Sequence, residues 1–326
     1  MDFSAHHQSD HTATDLRAPL HVQTASARPT LQVLTGVDAG RILALTKGTT
    51  VVGRSLDSEM VLNDESISRQ HAEIYTSSAA APIIYDLESK NGTKVNGEPI
   101  SPTGQVLIEG DQVRLSANMI LKFSWQKPEE EALQGSLYHC AVRDWLTQTY
   151  NKRYFIERLA QEFSYAERHH RPLSLLLVDI DHFKGVNDQF GHDAGDHVLR
   201  EISKFMKTQL REEDVLARYG GEEFAILLRQ IDLAEAVLVA ERLRVGLKNT
   251  SVHYLEQSVQ CTTSIGVACT SKNKFKDPNQ LFVLADQRLY EAKASGRNKT
   301  VFGNPDDLDA PDEDFFRRPT SPPKET

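Results

Sequence analysis

The sequence predicts two domains of different class: an all-β sandwich over residues 29–124, then an α/β (α+β) domain over residues 143–302 with a mixed central sheet flanked by helices. Three observations predict this. At 326 residues and 39% hydrophobic, the chain is long enough for two packed cores. Its first half breaks into short apolar runs punctuated by Gly, Asn and Asp. Its second half alternates long amphipathic stretches with short buried runs.

The elements follow in order. Residues 1–28 are polar and without periodicity, the pattern of a flexible tail. The runs "LQVL", "RILAL", "TTVVG", "AEIYT", "PIIYDL", "KVNGEPI", "QVRLS" and "MILKFSW" have strand length and turn-rich borders, as a β-sandwich requires. Residues 125–142 read as a linker helix, with Leu133, Leu137 and Ala141 on one face at i, i+4, i+8. That stripe suits either a partner helix or the chain's own domain. Beyond it, "KRYFIERLAQEFSYAERHH" is an amphipathic helix and "PLSLLLVDID" a buried strand. "AGDHVLREISKFMKTQL" is helix, and "DVLARYGGEEFAILL" is a hairpin about Gly220 and Gly221. "LAEAVLVAERLRVGLKN" is helix, "VQCTTSIGVAC" one strand, and "NQLFVLADQRLYEAKASG" the last helix. Residues 303–326 are acidic and Pro-rich, expected to be disordered.

The formal charge of −9 argues against nucleic acid as a partner. Three cysteines, Cys140, Cys261 and Cys269, make neither a disulfide framework nor a zinc spacing, which points to a reducing, cytoplasmic setting. No basic segment followed by an apolar run opens the sequence, and no run is long enough to span a bilayer, so neither export nor a membrane is expected.

Asp179 and Asp181 end the buried strand, and Glu222 lies just past the apex of the hairpin. If the hairpin pairs beside that strand, Asp179 and Glu222 converge. Converging carboxylates that stay ionised call for a cation, and hard oxygens suit Mg²⁺. A strand-end acid can also simply solvate a loop. Glycines at the turn would admit a ligand close to the backbone.

The stretch "RYGGEEF" closely resembles the signature of GGDEF-domain diguanylate cyclases. "RDWLTQTYNKRYF", "VDIDHFKGVNDQFGHDAGD", "TTSIGVA" and "ADQRLYEAKASGRNKT" fall in that family's order over residues 140–302. The resemblance implies condensation of two GTP into cyclic di-GMP and two pyrophosphates across a homodimer. It implies Mg²⁺ or Mn²⁺ on Asp179, Glu222 and the Ile180 carbonyl. Guanine is expected at Asn187 and Asp196, and phosphates at Lys184, Lys293, Arg297 and the backbone N–H groups of His182 and Phe183. Arg218, Gly220, Gly221 and Glu223 belong to the signature, with Glu223 touching the metal or positioning the hydroxyl. "REED" matches the family's RxxD inhibitory product site, at Arg211 and Asp214. As an ordinary reading, Arg and Asp at i, i+3 also pair on a helix surface.

"VVGRS", "SISRQHAEI" and "SKNGTKVNG" together resemble the forkhead-associated (FHA) domain, a phosphothreonine-binding sandwich. The resemblance assigns Arg54 and Ser68 to phosphate, with Arg69 and Lys90 adding charge and Asn91 holding peptide backbone. His71 and Gly53 are expected to be structural. The expected ligand is a phosphothreonine peptide from another protein or from the chain's own tail, where a Ser/Thr kinase would modify Thr12 or Thr14. The alternatives are a catalytically silent cyclic di-GMP receptor or a phosphopeptide scaffold.

Overall fold

The computed structural model describes residues 27–303, apart from 47, 56, 63, 78–79 and 272–273. Thr12, Thr14 and both expected tails lie outside the described residues, except for residues 27, 28 and 303.

The first domain is the expected sandwich, built from β1 (Arg28–Val33), β2 (Ile42–Ala44), β3 (Gly48–Gly53), β4 (Met60–Val61), β5 (Ala72–Thr76), β6 (Ile83–Asp86), β7 (Lys94–Val95), β8 (Glu98–Pro99), β9 (Gln105–Val106), β10 (Gln112–Arg114) and β11 (Ile120–Gln126). One sheet runs β2-β1-β11-β10-β7-β8 and the other β4-β3-β5-β6-β9. Period-2 alternation puts Leu31, Val33, Leu121 and Phe123 of the first sheet against Val52, Ile74 and Ile84 of the second.

The linker helix α1 (Pro128–Val142) starts on a proline at its first turn, followed by Glu129, Glu130 and Glu131, which suits the positive end of a helix. Leu133 and Leu137 are 62% and 61% exposed, so their stripe does not pack on either domain of this chain.

The second domain holds β12 (Tyr150–Asn151), α2 (Lys152–His169), β13 (Leu173–Ile180), α3 (Phe183–Phe190), α4 (His192–Thr208), β14 (Val215–Gly220), β15 (Glu223–Arg229), α5 (Leu233–Asn249), β16 (Ser251–Tyr254), β17 (Gln257–Gln260), β18 (Thr263–Cys269), α6 (Pro278–Ala294) and β19 (Thr300–Val301). Its mixed sheet runs β12-β14-β15-β13-β18-β19. The apolar run of β13 is buried along its whole length because helices cover both faces. Leu176 and Val178 pack on one face with Val198 and Ile202 of α4 and Leu243 of α5. Leu175 and Leu177 pack on the other with Phe155 and Leu159 of α2 and Leu289 of α6.

Three details correct the sequence reading. Helix α3 was not expected, and neither was the β16–β17 hairpin. The single strand expected through "VQCTTSIGVAC" is two, because residues 261 and 262 turn away from β17 before β18 begins.

Helix α6 lies directly on β18 at Gly266. A Cβ there would run into the Ala285 carbonyl and the Leu289 amide, both backbone atoms that cannot rotate aside. Gly266→Ala is expected to cost about 3 kcal/mol or more, at the upper end for overpacking. A denaturant midpoint unchanged by the substitution would contradict the close approach.

The two domains touch. Asp38, buried in the β1–β2 loop, accepts hydrogen bonds from Tyr138 of α1 at 3.1 Å and Tyr154 of α2 at 3.2 Å. Burial and the adjacent Asp38 carboxylate push both phenols well above their ordinary range, so they remain protonated donors.

Candidate active site

The carboxylates come from the centre of the second sheet. Asp179 near the end of β13 stands directly opposite Glu223 at the start of β15. Directly opposed residues share a face, so two like charges are placed side by side. Glu222 sits in the turn between β14 and β15, next to Gly221, whose φ of +47° lies in the left-handed region. The Glu222 carbonyl accepts from the Ile180 amide at 3.4 Å, which ties the hairpin turn to the end of β13. Burial raises the Asp179 carboxyl above its usual range, and the charges of Glu222 and Glu223 raise it further; Lys293 opposes them. The Lys293 ammonium reaches Asp179 Oδ2 at 2.7 Å. A cation therefore already neutralises the place where the carboxylates crowd.

This donor set fits a hard divalent ion that keeps part of its shell for solvent and phosphate, with Asp179, Glu222 and the Ile180 carbonyl as candidate oxygens. Among the described residues no cluster of three or more His, Cys, Asp or Glu side chains is gathered as a closed metal cage.

Phosphate contacts are expected where β13 gives way to α3. His182 holds the position before the helix with φ +57°, and Phe183 opens it. The opening N–H groups of a helix have no carbonyl of their own and favour anions. Lys184 is exposed one residue further on. Asn187 on α3 packs over Gly195 of α4, where any Cβ would collide with the Asn187 side chain. Asp196 follows directly, so both guanine candidates lie at the α3–α4 junction.

Asp181 has another task. It accepts from Thr262 Oγ1 and Ser264 Oγ, each at 2.7 Å, and from the Asn298 amide at 3.0 Å. One buried carboxylate thereby fastens the end of β13 to β18 and to the turn that carries Arg297. This is why the apolar run breaks at Thr262. Arg218, expected among the GTP-binding residues of the signature, has its guanidinium on the Gly221 carbonyl at 2.8 Å and on Asp144 at 3.2 Å, which braces the turn. Burial would raise the Asp144 carboxyl, but hydrogen bonds from Thr147 and the Arg218 charge hold it below the usual range.

The first domain presents a cavity of about 630 Å³ lined by Arg54, Ser68, Arg69 and Lys90, among others. Gly53 allows it. The end of β3 runs so close to the Arg69 carbonyl that a Cβ could not fit. The Arg54 amide then bonds the Ser68 carbonyl at 3.1 Å, bringing the two phosphate candidates together. Ser68 Oγ accepts from the Lys90 amide at 3.0 Å. Asn91 donates from its side-chain amide to the Ser66 carbonyl at 2.6 Å, which fixes it at the rim of the same loops. His71 is structural as expected: it is buried, burial lowers its pKa, and its Nδ1 accepts from the Ser68 amide at 3.2 Å.

Comparison with known families agrees with both geometries. The model "Diguanylate cyclase, GGDEF domain" matches residues 141–299, and the model "FHA domain" matches residues 50–116. The chain joins an FHA domain to a GGDEF domain.

The probable diguanylate cyclase DgcT of Escherichia coli is 40% identical over 163 residues, which are 49% of this chain and 35% of that protein. The response regulator PleD of Caulobacter vibrioides is 38% identical over 196 residues, 59% of this chain and 43% of that protein. The chain thus spans less than half the length of either. The solved coiled coil and GGDEF domain of DgcB from Caulobacter crescentus, in complex with c-di-GMP, matches with a TM-score of 0.50 at 28% identity, covering 54% of this chain and 94% of that one.

Within the GGDEF domain, Arg211 and Asp214 lie in the turn before β14. The Arg211 amide donates to Asp214 Oδ2 at 2.9 Å, while Asp214 Oδ1 is buried without a hydrogen-bond partner among the described residues. Burial pushes the Asp214 carboxyl up to about 6, Glu213 adds to this, and Arg211 and Arg242 oppose it. Sequence reasoning missed Asp144. "DWLT" carries its only signal, an Asp three residues before a Thr that caps it, Thr147. No helix among the described residues is long and apolar enough to cross a membrane.

Proposed function

We propose that the chain is a diguanylate cyclase dependent on a divalent metal, Mg²⁺ or Mn²⁺. The observation that carries this reading is the crowding of Asp179, at the end of β13, with Glu222 and Glu223 of the β14–β15 hairpin, beside the opening of α3. Asp179, Glu222 and the Ile180 carbonyl would hold the metal, which supplies charge stabilisation for the α-phosphorus and the leaving pyrophosphate. Lys184, Lys293, Arg297 and the amides of His182 and Phe183 hold the phosphates. Asp196 accepts from guanine N1–H and its amine, with Asn187 beside it, a pattern adenine does not offer. Gly220 and Gly221 let the nucleotide approach the backbone, and Glu223 positions the attacking hydroxyl.

Each domain holds one GTP. The 3′-oxygen of one forms a bond to the α-phosphorus of the other and gives up its proton, and the α–β phosphoanhydride bond breaks. The second half-reaction closes the ring. Two chains must therefore meet, and orientation supplies up to about 7–11 kcal/mol of the barrier reduction. Incubating pure protein with GTP and Mg²⁺ and separating the nucleotides tests the reading. GTP returned unchanged would favour the silent-receptor alternative.

Arg211 and Asp214 are assigned to product inhibition, Arg to guanine O6 and N7 and Asp to the amine. A proton on Asp214 removes its charge, so cyclic di-GMP affinity should rise about tenfold from pH 5 to pH 7. The same group makes a stability contribution with the opposite slope. Below the ordinary carboxylate range it is fully present, and it is lost as pH rises through about 6. Calorimetric titration across this range checks the first effect, and Asp214→Asn should flatten it. A pH-independent wild type would refute the assignment.

The FHA domain is assigned to a phosphothreonine peptide, with the chain's own tail, phosphorylated by a Ser/Thr kinase at Thr12 or Thr14, as the favoured ligand. Tethering would fill even a weak site, because the local concentration reaches about millimolar. Mass spectrometry of native protein that finds no phosphate on either threonine would remove the motive for that ligand.

A further inference from the structure

The cavity of the FHA domain is not lined by that domain alone. His169, in the last turn of α2 in the GGDEF domain, forms part of its wall. On the FHA side, Glu65 lines the same cavity, in the loop between β4 and β5. Its carboxylate meets Arg168 Nη1 at 2.6 Å and lies 3.3 Å from His169 Nε2. The His169 ring is steadied by Tyr165, one helical turn back, with ring centroids 4.6 Å apart.

Two features point to a ligand. Glu65 Oε2 is buried and faces His169 Nε2 at 3.3 Å, yet makes no aligned hydrogen bond with it or with any other described group, and a buried carboxylate oxygen without an aligned donor is costly. With α2 in place the cavity still has about 630 Å³, within the range of sites that hold ligands. The end of α2 is therefore a wall of the site and not a plug in it. His169 joins Arg54, Arg69 and Lys90 around a space suited to a dianionic phosphate and its flanking backbone, while Arg168 is paired with Glu65. A peptide N–H facing Glu65 would supply the missing donor.

We propose that the GGDEF domain completes the phosphopeptide site: His169, seated with Arg168 on Glu65, contacts the bound phosphothreonine peptide, so peptide occupancy and the seating of the two domains are one linked equilibrium. This rests on the FHA reading above and deepens it. The coupling is reciprocal: a peptide that binds the composite site stabilises this arrangement of the domains, and whatever separates them weakens the peptide. The signal thereby reaches the helix whose inner face, at Phe155 and Leu159, packs on the catalytic sheet.

The test is calorimetric titration of full-length, unphosphorylated protein with peptides copying residues 8–18, phosphorylated at Thr12 or at Thr14. Wild type is expected to bind at least one of them and not the unphosphorylated peptide. Arg54→Ala should abolish binding. His169→Ala should weaken it about five- to tenfold, the loss of one contact to a charged group, and Arg168→Ala should weaken it as well. His169 is exposed, so thermal unfolding of His169→Ala should be unchanged. Bound peptide should also slow hydrogen exchange at the end of α2 in wild type. If wild type binds while both α2 variants bind equally well or more tightly, the shared wall is overturned and the FHA reading survives. If wild type binds neither phosphopeptide, both fall.

Discussion

Glu222→Ala is expected to lower the formation of cyclic di-GMP from GTP by about a thousandfold, close to 4 kcal/mol of transition-state stabilisation. Glu222 supplies one of only two side-chain carboxylates proposed to hold the metal, and the backbone carbonyl of Ile180 cannot replace it. Stability should move the other way. Without nucleotide and metal, Glu222 is one of the charges that raise the Asp179 carboxyl. Removing it relieves a repulsion smaller than the attraction Lys293 supplies, so the unfolding midpoint should stay level or rise slightly. Lost activity with retained stability separates a catalytic role from a structural one. Activity within tenfold of wild type would remove Glu222 from the metal site.

Asp181→Ala has the opposite signature. Three donors, from Thr262, Ser264 and Asn298, converge on a carboxylate buried at the end of β13. Hydrogen bonds to a charged acceptor are worth about 1.5–3 kcal/mol each, and a buried donor left without a partner adds a desolvation cost. Part of this is recovered because the two hydroxyls can reorient. The expected loss is about 3–5 kcal/mol, or roughly 10 °C in melting temperature for a domain of this size. Activity should fall with it, because Asp179 lies two residues upstream and Arg297 borders the clamped turn. Asp181→Asn, which keeps one carbonyl oxygen, should lie between. A melting temperature within about 1 °C of wild type for Asp181→Ala would show that the clamp contributes nothing.

Much of the candidate site was legible because it is built from contiguous motifs. The "GGEEF" turn, the acids of "VDID" and the "GRS" and "SISRQH" segments each carry local backbone demands. Other parts were not legible. Helix α3 has only eight residues and contains Gly185 and Asn187, so it lacks the length and propensity that mark a helix. The break at Thr262 is hidden because β17, the turn and β18 form one sequence stretch suited to strands. Only the partner of Thr262, Asp181 some eighty residues earlier, explains the turn. Arg218 belongs to the signature, but its orientation is set by Asp144, a residue from another segment.

By itself the sequence determined the two fold classes, through the switch from short alternating strands to longer amphipathic helices, and it determined which acids lie at the β14–β15 hairpin. Tertiary structure alone decided which charges meet: Lys293 on Asp179, Arg218 on Asp144, and Arg168 and His169 on Glu65. The physical reason is one of range. Periodicity and turn chemistry act over a few neighbouring residues, whereas these pairs join segments 74 to 114 residues apart or more than a hundred apart across the two domains. Their electrostatic energy exists only once packing has brought the segments within a few ångströms.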